Sequence, residues 1–141
     1  MRLYVVQHGE AAPKERHPDR PLTEKGMADI EVLATFLKAT RVSIRRICHS
    51  GKTRAVQAAA ALAQVLKPQG DMEESALLNP CDPPEPFIQQ MLERREDVLI
   101  AGHLPFVAKL VAALITGDPA HAITDFSPGC AVCLEQDDTG W

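Results

Sequence analysis

The chain has 141 residues and a mass of 15.4 kDa, the size of one domain able to bury roughly two-thirds of the surface its unfolded form exposes. Hydrophobic residues at 45%, charged residues at 24% and a mean hydropathy of -0.11 exclude a disordered, collagenous or low-complexity chain. A net charge of -4 and a pI of 5.7 speak against a nucleic-acid binder working by bulk electrostatics.

The first element is Leu3 to Val6, an apolar run suited to a strand buried on both faces. Gln7 and His8 interrupt it, and Lys109 interrupts the longest later stretch, so neither a signal peptide nor a membrane span can be built. A cytoplasmic setting with four reduced cysteines is the expectation. After a polar loop, Thr23 can cap a helix carrying Ile30, Leu33, Ala34 and Leu37, ending near Thr40. Ile44 to Cys48 predicts a second strand. Ser50 is placed to cap the next helix, whose stripe of Ala55, Ala58, Ala59, Leu62, Val65 and Leu66 runs to Pro68. A weak strand over Glu73 to Leu78 precedes a loop from Pro80 to Pro86, and Phe87, Ile88, Met91 and Leu92 mark a third helix. Val98 to Ala101 reads as a buried strand. A helix follows from Pro105 to Gly117, and Gly129 to Glu135 reads as the last strand. Cys130 and Cys133 sit in it at a spacing that points them to opposite faces, which argues against a redox or zinc pair.

Strands alternating with helices predict a mainly parallel α/β sheet, in which sites form beyond the carboxyl ends of the strands. The first strand delivers Gln7, His8 and Gly9 there, the second His49 and Ser50 with Lys52 and Arg54 on the following helix, and the fourth Gly102 and His103. Imidazoles, a guanidinium and helix N-termini on one sheet edge suit a tetrahedral anion, most simply a phosphoryl group. A lone histidine after a strand is more often a loop residue than a catalyst. Three strand ends that converge on one chemistry reverse that balance for His8 and His103. His17 and His121 are expected at the surface, while His49 either lines the pocket or satisfies backbone groups.

The segment Val5-Val6-Gln7-His8-Gly9-Glu10, then Arg20-Pro21-Leu22-Thr23 leading to Gly26, then Ser50, Arg54, Ala55 and Gln57, then Gly102-His103-Leu104-Pro105, resembles the histidine phosphatase superfamily, and within it the SixA-type phosphohistidine phosphatases. The resemblance covers nearly the whole chain. It implies one domain over residues 1–141 with a three-layer α/β/α, phosphoglycerate mutase-like fold. It also implies His8 as the nucleophile that takes the phosphoryl group, Arg54 as a phosphate clamp, and His103 as the second catalytic imidazole. Gln7, Gly9 and Arg20 complete the expected phosphate-binding set. The chemistry implies no metal and no cofactor; a phosphate or sulfate ion would suit the pocket.

Where the family carries arginine before the nucleophile, this chain has Gln7, and loss of one such donor costs about 3 kcal/mol, or about a hundredfold in rate. Arg20, Lys52 and Arg16 are the candidates to compensate. Asp82, Glu85 and Glu10 are nearby carboxyls, none matching a family general acid; a departing phosphohistidine imidazole, able to leave protonated, needs one least. A chain too short for lid insertions favours a phosphohistidine-bearing phosphotransfer protein as substrate. The alternatives are a catalytically weak phosphate- or phosphoprotein-binding module on the same fold and a small-metabolite phosphomonoesterase.

Overall fold

In the computed structural model, which describes residues 1–141, alternation along the first strand sets the layering. β1 (Arg2–Gln7) turns Leu3 and Val5 to one face of the sheet and Tyr4 and Val6 to the other, all four buried. A strand apolar on both faces needs cover on both. α1 (Glu24–Ala39) and α2 (Thr53–Leu66) supply it over Tyr4 and Val6, through Ile30, Ala34 and Leu37 and through Ala58, Ala59 and Leu62. Over Leu3 and Val5 lie α3 (Glu85–Arg94) with Phe87 and Met91, and α4 (Phe106–Thr116) with Phe106, Val107, Leu110 and Val111. The result is the three-layer α/β/α architecture expected.

Four further strands join β1: β2 (Arg46–His49), β3 (Met72–Glu74), β4 (Val98–Gly102) and β5 (Ala131–Glu135). The sheet order is β3-β2-β4-β1-β5, parallel throughout except for β5, which runs antiparallel to β1 at one edge. The order matters for function. β2, β4 and β1 are direct neighbours, with Gln7 opposite Gly102 and His49 opposite Ala101, so their carboxyl ends open onto one place.

Several local expectations hold, and others are corrected. Thr23 caps α1 by accepting the Gly26 N–H at 3.0 Å, and Gly117 ends α4 in the left-handed conformation, φ 76°. β2 begins at Arg46 rather than Ile44, and Ile44 serves instead as a core residue. Ser50 does not cap α2, which starts at Thr53 after Lys52 without a side-chain cap. The expected strand over Glu73 to Leu78 stops at Glu74, because the Ser75 hydroxyl takes the Leu77 N–H at 3.3 Å and turns Ala76–Leu78 into a 3₁₀ helix. β5 begins at Ala131, two residues late, since Gly129 is at φ 78° and its N–H reaches back to the carbonyls of Gln7 and His8 at 3.1 and 3.2 Å.

One contact fixes the loop after β1 against the start of α1. A Cβ on Gly9 would strike the Gly26 carbonyl, and a Cβ on Gly26 would strike the Glu10 carbonyl. The Thr23 N–H donates to Glu10 O at 2.9 Å, and Ala11 bridges Leu22, holding the two segments at this separation. Helix propensity alone would make Gly26→Ala stabilising by about 1 kcal/mol. Backbone overlap predicts the opposite sign, a net loss of about 2 kcal/mol in the unfolding free energy from urea titration.

Candidate active site

His8 follows β1 directly, and its backbone N–H donates to the Gly102 carbonyl of β4 at 3.1 Å, so sheet pairing continues through the residue. Its ring is fixed at both nitrogens. Nδ1 lies 2.6 Å from the Gly9 carbonyl, which can only accept, so Nδ1 carries the proton. Arg54 Nε, which can only donate, points at Nε2 from 3.2 Å, so Nε2 holds a lone pair. Burial lowers the His8 pKa below its ordinary value; the Gly9 carbonyl opposes this, and the charges of Arg54 and Arg20 add to it. The ring is thus a neutral base with its bare nitrogen turned to a guanidinium.

His103, directly after β4, is 1% exposed and stands edge-on to His8, the ring centroids 5.0 Å apart at 63°. Its Nε2 lies 2.6 Å from Ser50 Oγ, at the end of β2. Burial first, then the positive surroundings of His8, Arg54, Lys52 and Arg20, push its pKa down to about 3. Both imidazoles are therefore neutral near pH 7.

The cations gather without counter-charges. Arg20 acts electrostatically on His8, His103 and Arg54, and Lys52 on His103, while the ion pairs of the protein all lie elsewhere, at Arg2, Lys25, Arg46 and Arg94. Arg20 is held in a left-handed turn, φ 47°, with Nε donating to the Ala12 carbonyl at 3.1 Å. Gln57 on α2 ties that loop down by accepting the Leu22 N–H at 2.7 Å. The helices that begin beside the site, α2 and α4, both lack side-chain caps, which leaves their first N–H groups for an anion.

The remaining predicted residues divide. Gln7 is 6% exposed, its backbone is bonded to Cys130 and Gly129, and its Oε1 is buried without a hydrogen bond. Gly9 has a packing reason to be glycine through Gly26. His49 points away from the pocket role, since its Nδ1 accepts the Gly51 N–H at 3.1 Å. Arg16, His17 and His121 are exposed in loops. Among the carboxyls, Glu10 takes the Thr23 hydroxyl, Asp82 takes the Asn79 N–H, and Glu85 is exposed in the first turn of α3. Cys130 packs against the core and Cys133 is exposed; all four thiols are free. The residue missed in the sequence is Ser50, read there as a cap. Its position in the motif with Arg54, at a strand end, was the available signal.

The model of the histidine phosphatase superfamily (branch 1) matches residues 3–79. The phosphohistidine phosphatase SixA of Escherichia coli (strain K12) is 30% identical over 145 residues, covering 99% of this chain and 89% of that protein. The structure of the protein histidine phosphatase SixA complexed with tungstate superposes with a TM-score of 0.86 at 28% identity, over 99% of this chain and 91% of the other. The alpha-ribazole phosphatase from Shigella flexneri shares the fold, with a TM-score of 0.80 at 19% identity over 99% and 93% of the two chains.

The lowered imidazole pKa values have a consequence for stability. An unfolded chain takes up protons near pH 6.5, which folded His103 refuses until about pH 3, so stability falls as pH drops through this window. His8 and His49, also lowered mainly by burial, add in the same direction. Between pH 6.5 and 5, before carboxylates titrate, His103→Asn should flatten the fall of the unfolding free energy by about 1.4 kcal/mol per pH unit at most. Urea titrations of both proteins across that range give the slopes.

Proposed function

The chain belongs to the histidine phosphatase superfamily, branch 1, and we propose that it is a phosphohistidine phosphatase that strips the phosphoryl group from a phosphotransfer protein by way of phosphorylated His8. The observation that carries this is the convergence of Arg20, Lys52 and Arg54, all without carboxylate partners, on two neutral imidazoles, one presenting a bare Nε2.

In the first step His8 Nε2 attacks phosphorus, an N–P bond forms, and the N–P bond of the substrate imidazole breaks, the ring leaving as neutral imidazole because its other nitrogen already carries a proton. Arg54, now donating to Nε2, turns its N–H groups to the equatorial oxygens, where Arg20 and Lys52 add charge. His103 donates to the same group. Water then attacks phosphorus, the His8 N–P bond breaks, and phosphate leaves with His8 restored. Positioning and charge neutralisation supply most of the acceleration in phosphoryl transfer. The resemblance to a relative solved with tungstate, a tetrahedral oxyanion like phosphate, supports an anion seated among these groups.

A protein substrate is supported by the rim. The β2–α2 and β4–α4 connections are three residues each, Ser50–Lys52 and His103–Pro105, so neither can fold over a small metabolite. Leu104, beside His103, is 43% exposed, an apolar contact for a docking protein surface. We place the chain in the cytoplasm as one domain over residues 1–141, a setting consistent with four free thiols. No helix is long and apolar enough to cross a membrane.

Gln7 favours the second reading, a phosphate- or phosphoprotein-binding module, because it puts a neutral amide where the family has a guanidinium. Phosphoenzyme trapping and phosphohistidine hydrolysis by four proteins decide between them. The parent should accumulate a phosphorylated form that His8→Ala abolishes, with Cys133→Ser turning over at the parent rate. Gln7→Arg should raise kcat/KM by roughly tenfold to a thousandfold by restoring a charged clamp. No turnover in the parent or in Gln7→Arg, with phosphate binding retained, would make the module the correct reading.

A further inference from the structure

Two histidines with the same side chain stand 5.0 Å apart in this site, and phosphoryl transfer needs opposite things of them: a lone pair from one and an N–H from the other. For His8 the backbone makes the choice, because the Gly9 carbonyl takes the Nδ1 proton and leaves Nε2 bare. His103 has no such backbone partner. Its Nδ1 is buried with no hydrogen bond, and the one polar group bonded to its ring is Ser50 Oγ, 2.6 Å from Nε2.

We infer that Ser50 is a positioning residue that holds His103 as its Nε2–H tautomer, so that the pair presents one bare nitrogen and one N–H to the same phosphoryl group. A serine hydroxyl can donate or accept, so the assignment turns on what each alternative leaves unpaired. If Ser50 donated into Nε2, the ring proton would sit on Nδ1, a buried N–H with no acceptor. Orphaned buried N–H groups are rarer in proteins than under-used acceptors. With the proton on Nε2, the hydroxyl oxygen accepts it, the fully buried Nδ1 keeps only an unmatched lone pair, and the one unpaired proton moves to the rotatable hydroxyl of Ser50, a residue 9% exposed. The single remaining ring proton is consistent with a site that keeps His103 neutral.

The sequence position of Ser50 fits this role. It directly follows β2, which pairs with β4, the strand that ends one residue before His103, so the sheet register sets the hydroxyl against the ring. Ser50 is buried, and the helix it precedes is uncapped, which frees its hydroxyl from the backbone. An arriving phosphoryl oxygen can replace Oγ as the acceptor from Nε2–H with no change of tautomer. The kinetic weight of this arrangement rests on the phosphohistidine phosphatase reading, while the tautomer itself does not.

Long-range ¹H–¹⁵N spectra of the full chain at pH 7.5, labelled at histidine, read the tautomers directly. The parent should show His103 with a protonated Nε2 and a bare Nδ1, and His8 the reverse. Ser50→Ala should move the His103 nitrogens toward a tautomer mixture and leave those of His8 in place, with kcat for phosphohistidine hydrolysis down about tenfold and KM changed little. Ser50→Thr, which keeps the hydroxyl, should restore both. A parent His103 protonated at Nδ1, or His103 nitrogens unmoved in Ser50→Ala, overturns the inference; the parent spectrum alone suffices if the alanine variant does not fold. The expected spectra in a parent without turnover would support the tautomer assignment and defeat the phosphatase reading instead.

Discussion

The parallel pairing of β1 with β4 is the constraint on which this site depends. Gln7 lies opposite Gly102, and the hydrogen bond from the His8 N–H to the Gly102 carbonyl carries the pairing one residue past the strand. Slipping the register by one residue would turn Leu3 and Val5 out of one core and Tyr4 and Val6 out of the other. The hydrophobic cores on both faces therefore fix the distance between the two imidazoles. Catalytic geometry here is a by-product of a register that burial already enforces.

That geometry is electrostatically expensive in the absence of an anion. Burial and then the charge of Arg20 lower the Arg54 pKa, and His103 is driven to about 3 by burial and by positive neighbours. Such an arrangement lowers the stability of the free protein, and a bound phosphoryl group relieves it. The strain lies in the charges rather than in the packing, since the residues beneath the site, including Val5, Val6, Ile100 and Ala101, are fully buried.

Most of the fold was legible because its signals are local and repeated. The apolar run at Leu3 to Val6, the Thr23 cap, the alanine stripe of α2 and the Gly117 stop each follow from one residue's chemistry and its neighbours. The failures come where a side chain had a distant partner. Ser50 looks like a cap from sequence because a serine before a helix usually is one, and only the adjacency of β2 and β4 reveals His103 beside it. Ser75 misled in the opposite sense, ending a strand through a local bond that hydrophobic pattern does not show. For the site, the strand ends were readable, but the choice among Arg16, Arg20 and Lys52 was not. Arg20 acts on the charge of the imidazoles from a left-handed turn, in a loop that Gln57 tethers at Leu22, whereas Arg16 is exposed.

The contact of Gly9 with Gly26 bears on time as well as on space. The nucleophile's loop is set backbone to backbone against the first turn of a sixteen-residue helix, with no side chain between them to give way. On the proposed function, in which His8 gains and loses a charged group in each cycle, its main chain has no room to recoil. The adjustment must fall on rotamers of Arg54 and Arg20, which relax in picoseconds to nanoseconds, rather than on loop rearrangements a thousand or more times slower. On that reading the loop that carries His8 is a fixed anvil for the chemistry, and the moving parts are side chains.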